Sequence, residues 1–467
     1  MIGGRYTIVL LIAAVIGPAF ARSAQAQSPV EGSSVEVAAD AGFAATGFSV
    51  PPLPDPSQGQ QPVVVTGTTA QLFRSIIPEP LYPIVRAGAL SLAVLSHVPW
   101  RSGVGDGKWR EAPLDDCLAA GNPGQSRGWS PDLFPCGSRI TIERSEKEAG
   151  KRYLVNAERA AVATGLSRLE LRVLSTGAVV GDAAVRIERL APRLLQTKEQ
   201  PKGAVLWRER VTWLEPKPIT SSGLFTVRFV GSDEDMFFQR SSISGRFRQL
   251  TGSNRGDEVL GLPLAADDLS VWSSKIEWVE SATVLGVRKM LVGVVGQQRT
   301  KLERAEPGCF ESEMLGNPRA DILDVWASNL LFVPRDVVQV EAISGDPFSL
   351  IGKVHVFIDT ETMLPVMKIV YDRAGQQKRV ILGGILGLTE ESTALQLSII
   401  GPIATLGTGG RTAVLKPELV MVCNGFSQSL NEGIFDLRGV MPSREAAGSS
   451  ASAQSSASAA PVEVDER

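Results

Sequence analysis

"VHVFIDTETMLPVMKIVYDRAGQQKRV", residues 354–380, decides how the chain is read. "VHVFID" alternates as a strand, "DTETMLP" turns, "VMKIVYD" is a second strand, "RAG" turns again and "QQKRVIL" follows. Short β-rich runs joined by tight connections make an antiparallel meander. The stretch also holds His355, one of only two histidines in 467 residues. Alternation puts His355 and Phe357 on one face and Val354, Val356 and Ile358 on the other. His355 therefore reads as a structural sheet residue, not as a catalytic base waiting on a loop.

The same period recurs outward from there. In "LFTVRFV", residues 224–230, Phe225, Val227 and Phe229 share one face and Thr226 and Arg228 the other. "GSDED" then turns and "MFFQR" returns, which is a hairpin. "DVVQVEA", residues 336–342, alternates in the same way, and "PLAADDLSVWSSKIEW", residues 263–278, is the best short helical candidate. No repeat of fixed period stands out. The fold class is mainly β, with antiparallel sheet.

Hydrophobic residues make up 43% and charged residues 21%, ordinary for a globular protein with a sizeable core. The 47 basic and 50 acidic residues nearly cancel, and no basic block offers a footprint for nucleic acid. At the N-terminus, Arg5, the apolar "TIVLLIAAVIGPAF" and "AQA" at 24–26 read as a signal peptide cleaved before Gln27. The apolar run is broken by Gly17 and Pro18 and is short for a membrane anchor. No cysteine near the cleavage point could carry a lipid, so the expected mature protein is exported, soluble and periplasmic.

Export gives meaning to Cys117, Cys136, Cys309 and Cys423 as disulfide residues. They can pair in three ways. Cys117–Cys136 is favoured because a short Gly/Pro-rich loop gains from a staple, and Cys309–Cys423 follows by elimination. Residues 27–66 read as a flexible linker, 67–155 as an N-terminal region with a disulfide, 156–440 as the β domain and 441–467 as a disordered Ala/Ser-rich tail.

Motifs that could carry chemistry lack their context. "GQSRG" at 124–128 matches the hydrolase nucleophile elbow, with Ser126 as nucleophile, but loop-like flanks replace the strand and helix this needs. Asp233–Asp235 and the pair Asp267–Asp268 could be carboxylate dyads, yet turns and helix starts favour such residues. "GTGG" at 407–410 lacks the Lys-Ser/Thr ending of a phosphate loop, and "RGD" at 255–257 reads as a turn. Two histidines support no metal constellation. No enzyme, cofactor or metal is expected.

Two stretches carry a resemblance to a known family: "GSDEDMFFQRSSISGRFRQLTGSNRGDEVLGLPLAADDLSVW", residues 231–272, and "VPRDVVQVEAISGDPFSLIGKVHVFIDTETMLPVMKIVYDRAGQ", residues 333–376. They resemble an exported Gram-negative family of unknown function related to the LolA/LolB-like lipoprotein-sorting proteins. Ile358, Asp359, Thr362, Leu364, Pro365, Tyr371, Asp372 and Gly375 fit its "IDxxTxLPxxxxxYDxxG" pattern. The resemblance implies a strongly curved antiparallel sheet, an incomplete β-barrel closed by short helices over an apolar cavity. It also implies a carrier of lipid or acylated cargo, working beside an inner-membrane transporter with transient membrane contact. Lining for such a cavity would come from Phe225, Val227, Phe229, Met236, Phe237 or Phe238, and Met367. The same alternation would serve a filled core, and then the protein would be an envelope assembly or interaction module. A hydrolase using Ser126 is the more distant reading.

Overall fold

The computed structural model describes residues 50–97, 147–161, 165–176, 182–191, 205–220, 222–229, 234–241, 244–259, 262–295, 303–306, 309–313, 323, 326–327, 330–390 and 395–423. The signal peptide, Cys117, Cys136, Ser126 and the C-terminal tail lie outside the described residues.

The chain is mainly β, built as one large mixed sheet. Strands β1 (Val63–Val65) and β2 (Leu92–Val94) pair with each other across helix α1 (Tyr82–Arg86). Helix α2 (Ala149–Ala161) precedes an antiparallel meander of β3 (Gly165–Thr176), β4 (Ala183–Ala191), β5 (Val205–Glu215), β6 (Gly223–Phe229), β7 (Met236–Arg240) and β8 (Phe247–Leu250). After a stretch of 3-10 turns come β9 (Val279–Val295), β10 (Glu303–Glu306), β11 (Cys309–Glu313) and β12 (Leu331–Ser344). A second meander follows, of β13 (Ile351–Asp359), β14 (Pro365–Asp372), β15 (Gln377–Glu390), β16 (Leu395–Gly407) and β17 (Thr412–Cys423). β17 joins the two meanders by pairing along β3. The parallel contacts β12–β2 and β15–β9 make the sheet mixed.

The stretch that decides the reading folds as its pattern demands. Val338 lies opposite Ile358 and Val340 opposite Val356, and all four are fully buried. Each such side chain contributes about 1.5–3 kcal/mol by leaving water. The turn after β13 is built by its own polar residues. Asp359 accepts hydrogen bonds from the Thr362 amide at 2.8 Å and its hydroxyl at 2.6 Å, while Arg335 on β12 donates to both carboxylate oxygens at 2.9 and 2.8 Å. Asp359 and Thr362 are fully buried, so the "IDxxTxLP" pattern records the physics of a turn. His355 sits mid-strand, its Nε2 3.0 Å from Glu341 and its Nδ1 3.3 Å from Gln339, beside the Tyr371 ring.

α2 packs against β9 and β12 and reaches β13, β14 and β16. A Cβ on Gly150 would stand 2.3 Å from the Ala282 carbonyl oxygen, so only glycine lets the helix approach β9 this closely. α2 also spans residues 155 and 156, where the sequence reading divides two regions. The sequence reading passes over this amphipathic helix, in which Tyr153 to Glu158 are all buried. Conversely, residues 263–278 are not a continuous helix but short 3-10 turns at Ala266–Asp268 and Ile276–Trp278. The expected linker is ordered from residue 50 on: Val65 is fully buried and β1 is paired, so the apolar "VVV" is a strand. Among the described residues, no helix is long and apolar enough to cross a membrane.

Cys309 and Cys423 are directly opposed partners of the antiparallel β11–β17 pair. Opposed residues there have Cα atoms about 4.5–5.5 Å apart, within the span a disulfide bridges. Peptide mapping without reduction is expected to recover Cys309 cross-linked to Cys423. Recovery of either residue joined to Cys117 or Cys136 contradicts this pairing.

Candidate functional site

A cleft of about 920 Å³ opens between the β7–β8 hairpin with the 3-10 turns that follow it and the hairpin of β12 and β13. Its lining mixes apolar residues, among them Trp272, Val279, Ile343, Ile351 and Val354, with polar ones, among them Thr251, Ser253, Asn254 and Ser274, and with Glu234, Asp235, Asp267, Asp346, Lys353 and Lys368 as its charged groups. Phe348, 83% exposed, lines the cleft from the loop joining β12 to β13, and Leu350 on the same loop is 71% exposed. That loop is held in shape. Asp346 accepts from the Phe348 amide at 2.9 Å and from the Ser253 hydroxyl at 2.6 Å, and Arg373 donates to the Ser349 carbonyl at 2.8 Å.

Behind the cleft lies a chain of buried ion pairs on the face of the sheet that meets α2. Arg228 on β6 is fully buried and donates to Glu158 of α2 at 2.5 Å, to Asp235 at 2.9 Å and to the Ser273 carbonyl. Arg255 donates to Asp267 at 2.7 Å. Asp268 takes Lys368 at 2.7 Å and Arg379 at 2.6 Å, and accepts from the Ala265 amide at 2.9 Å. The planes of Trp207 and Trp278 lie against the Arg228 guanidinium, and Trp278 also faces Arg255.

The charges hold each other ionised. Burial alone would raise the Asp267 carboxyl, but Arg255, then Lys368 and Arg228, outweigh it and keep it below the ordinary carboxylate range. At Asp268 burial is likewise overcome, first by Arg379 and then by Lys368. Burial would lower the Arg228 pKa, yet Glu158, Asp235 and Asp267 raise it. Val271, fully buried between this cluster and Trp272, has φ 57°, a left-handed conformation that a β-branched residue takes only at a cost. The segment beneath the cleft is thus fixed in a strained shape by its surroundings.

The residues singled out in the sequence as cavity lining lie elsewhere. Phe225 and Val227 are buried, but they alternate with Thr226 and Arg228, and so lie on the face opposite the ion pairs. Phe238 pairs with Phe225, and Met236, 42% exposed, pairs with Val227, which puts both on that opposite face. Phe229 stands at the end of the same row, opposite Val205. Met367 is buried in the main core, pointing away from Lys368. None of the six lines the cleft. Phe225 and Met367 edge crevices of only about 20 and 10 Å³, too small for an alkyl chain. Phe237, by contrast, is buried on the ion-pair face, with Arg255 over its ring.

Asp267 and Asp268 lie in the first turn of a 3-10 helix, as their sequence reading has it, and are buried there; Asp233 lies outside the described residues. Asp235, Asp267 and Asp268 are all paired with cations. One signal in the sequence pointed there: Arg228 stands mid-strand on a face otherwise shared with Leu224 and Thr226, where a charge is retained only if partnered.

No family model matches the chain, and no curated protein matches it. Among solved structures it is similar to an outer membrane lipoprotein-sorting protein domain from Vibrio parahaemolyticus, at 15% identity and TM-score 0.42, covering 63% of this chain and 99% of that one. It is similar to a DUF1329 family protein from Desulfovibrio piger at 10% identity and TM-score 0.42, with 63% and 99% covered. A LolA superfamily protein from Nitrosomonas europaea is similar at 10% identity and TM-score 0.33, with 62% and 97% covered. These neighbours are of the lipoprotein-sorting and LolA kind that the sequence resembles. At such scores they carry no argument about what the cleft binds.

Proposed function

We propose that the protein is a non-enzymatic periplasmic carrier that holds a lipid or acylated ligand in the cleft between the β7–β8 and β12–β13 hairpins. The observation that carries the reading is the cleft itself. Its volume, about 920 Å³, falls in the range of roughly 300–1,000 Å³ typical of small-molecule sites, and its lining carries both apolar and hydrogen-bonding groups. Such a mixed lining suits an amphiphile. Each CH₂ laid along Trp272, Ile343 and Val354 is worth about 0.8 kcal/mol against leaving it in water. The buried charges have a structural part in this account, because every carboxylate among Asp235, Asp267 and Asp268 is met by a cation and none is left to act as a base.

Displacement of a fluorescent fatty-acid analogue tests the reading. Wild-type protein is expected to bind the probe, and Phe348→Ser to weaken binding roughly tenfold, because the ring is apolar lining at the cleft's edge. The exposed side chain contributes little to folding, so stability is expected to stay within about 0.5 kcal/mol. Unchanged affinity in Phe348→Ser, or no binding by wild type, contradicts the assignment to this cleft.

A further inference from the structure

We propose that the face of β5–β8 opposite the buried ion pairs is a docking surface for an anionic lipid bilayer. The inference goes beyond the carrier reading and stands apart from what the cleft holds. Register sets Arg208 in one row with Met236, Arg210 in the next row with Phe238, and Arg240 beside Phe247. Met236 is 42% exposed, and the two rings and three arginines are half-buried. Phe225 and Val227, which lie between them on β6, are buried at the base of the same face. Cationic and apolar side chains are thus interleaved on one surface.

Its charge is unbalanced. On the adjoining strands arginines and carboxylates neutralise one another, Arg168 holding Glu188 at 2.9 Å and Arg186 holding Glu170 at 2.7 Å. Glu188 stands directly opposite Arg210 and is committed in this way to Arg168. Among the described residues, none of Arg208, Arg210 and Arg240 makes an ion pair. Arg210 donates to the Thr212 hydroxyl at 3.2 Å, and the Arg240 guanidinium lies 5.8 Å from the centre of the Phe247 ring. No acidic residue occurs from 236 to 256. Like charges on one sheet face repel, and an arriving phosphate relieves that repulsion through charge-assisted hydrogen bonds.

A bilayer matches both kinds of side chain. Its phosphates face the guanidinium groups, while Met236, Phe238 and Phe247 reach the boundary between head groups and acyl chains. A stable protein partner would need roughly 800 Å² of complementary surface from this chain, whereas a bilayer requires only a few cations and apolar tips.

Flotation with vesicles of phosphatidylcholine alone, or of phosphatidylcholine with an equal amount of phosphatidylglycerol, tests this. The protein is expected to float with the anionic vesicles, less so as salt is raised, and not with the neutral ones. Arg208→Gln and Arg210→Gln are each expected to weaken binding roughly fivefold, while Arg208→Lys, which keeps the charge, binds as wild type. Arg248→Gln removes the same charge from an exposed residue that pairs with Gln239, on the other face of the hairpin, and is expected to change binding less than about twofold. Phe348→Ser, altered in the cleft, is expected to float as wild type does. Equal flotation with both vesicles, no flotation, or equal losses in Arg208→Gln and Arg248→Gln overturns the proposal. So does a loss in Phe348→Ser while the arginine variants bind normally, which would place lipid capture in the cleft.

Discussion

Replacing Arg228 with methionine is expected to destabilise the protein by about 3–5 kcal/mol, the usual cost of stripping one partner from a buried ion pair. The guanidinium is fully buried and holds Glu158 at 2.5 Å and Asp235 at 2.9 Å. Asp235 keeps Lys275 at 3.5 Å and Arg255 at 3.8 Å, whereas Glu158 is left as an uncompensated charge against the sheet. The double variant Arg228→Met with Glu158→Gln is therefore expected to be more stable than the sum of the two single losses. Urea denaturation of the four proteins measures this. A loss below about 1 kcal/mol in Arg228→Met, the scale of an exposed pair, contradicts the role given to the network.

Acid should open the same region. Asp267 and Asp268 have pKa values lower in the folded protein than in the unfolded chain. The unfolded chain then binds protons first as pH falls, so the two groups stabilise the fold above the ordinary carboxylate value near pH 4. That stabilisation is lost as pH drops through the depressed folded values. Denaturation midpoints are expected to hold from pH 7 to about 5 and to fall below about pH 4. Asp268→Asn is expected to cost about 3–5 kcal/mol at neutral pH, because Lys368 and Arg379 lose their counter-charge, and to flatten the acid slope. A variant with wild-type slope would show that other groups govern the acid response.

How much of this the sequence showed depended on the range of the forces involved. Strands and tight turns are local, and both the β6–β7 hairpin and the β13–β15 meander follow from period-2 alternation and turn residues. What alternation cannot supply is which face turns inward. Phe225, Val227 and Phe229 look like the inner row of β6, but the row facing α2 is Leu224, Thr226 and Arg228. Shifting by one residue exchanges the faces, and only partners distant in the chain decide between them. Glu158 lies 70 residues from Arg228, and Arg379 lies 111 from Asp268, so neither pair leaves a local trace. The cleft is hidden for the same reason, being assembled from the ends of two hairpins and the turns between residues 251 and 278.

The central claim is that this cleft holds an amphiphile. Native mass spectrometry of the protein purified from its own host tests it most directly, run beside Phe348→Ser, which removes apolar lining at the cleft's exposed edge without touching the core. The account expects a co-purifying lipid mass on the wild type and its loss from a variant of unchanged stability. No bound mass on the wild type, or the same mass on both proteins, would contradict it.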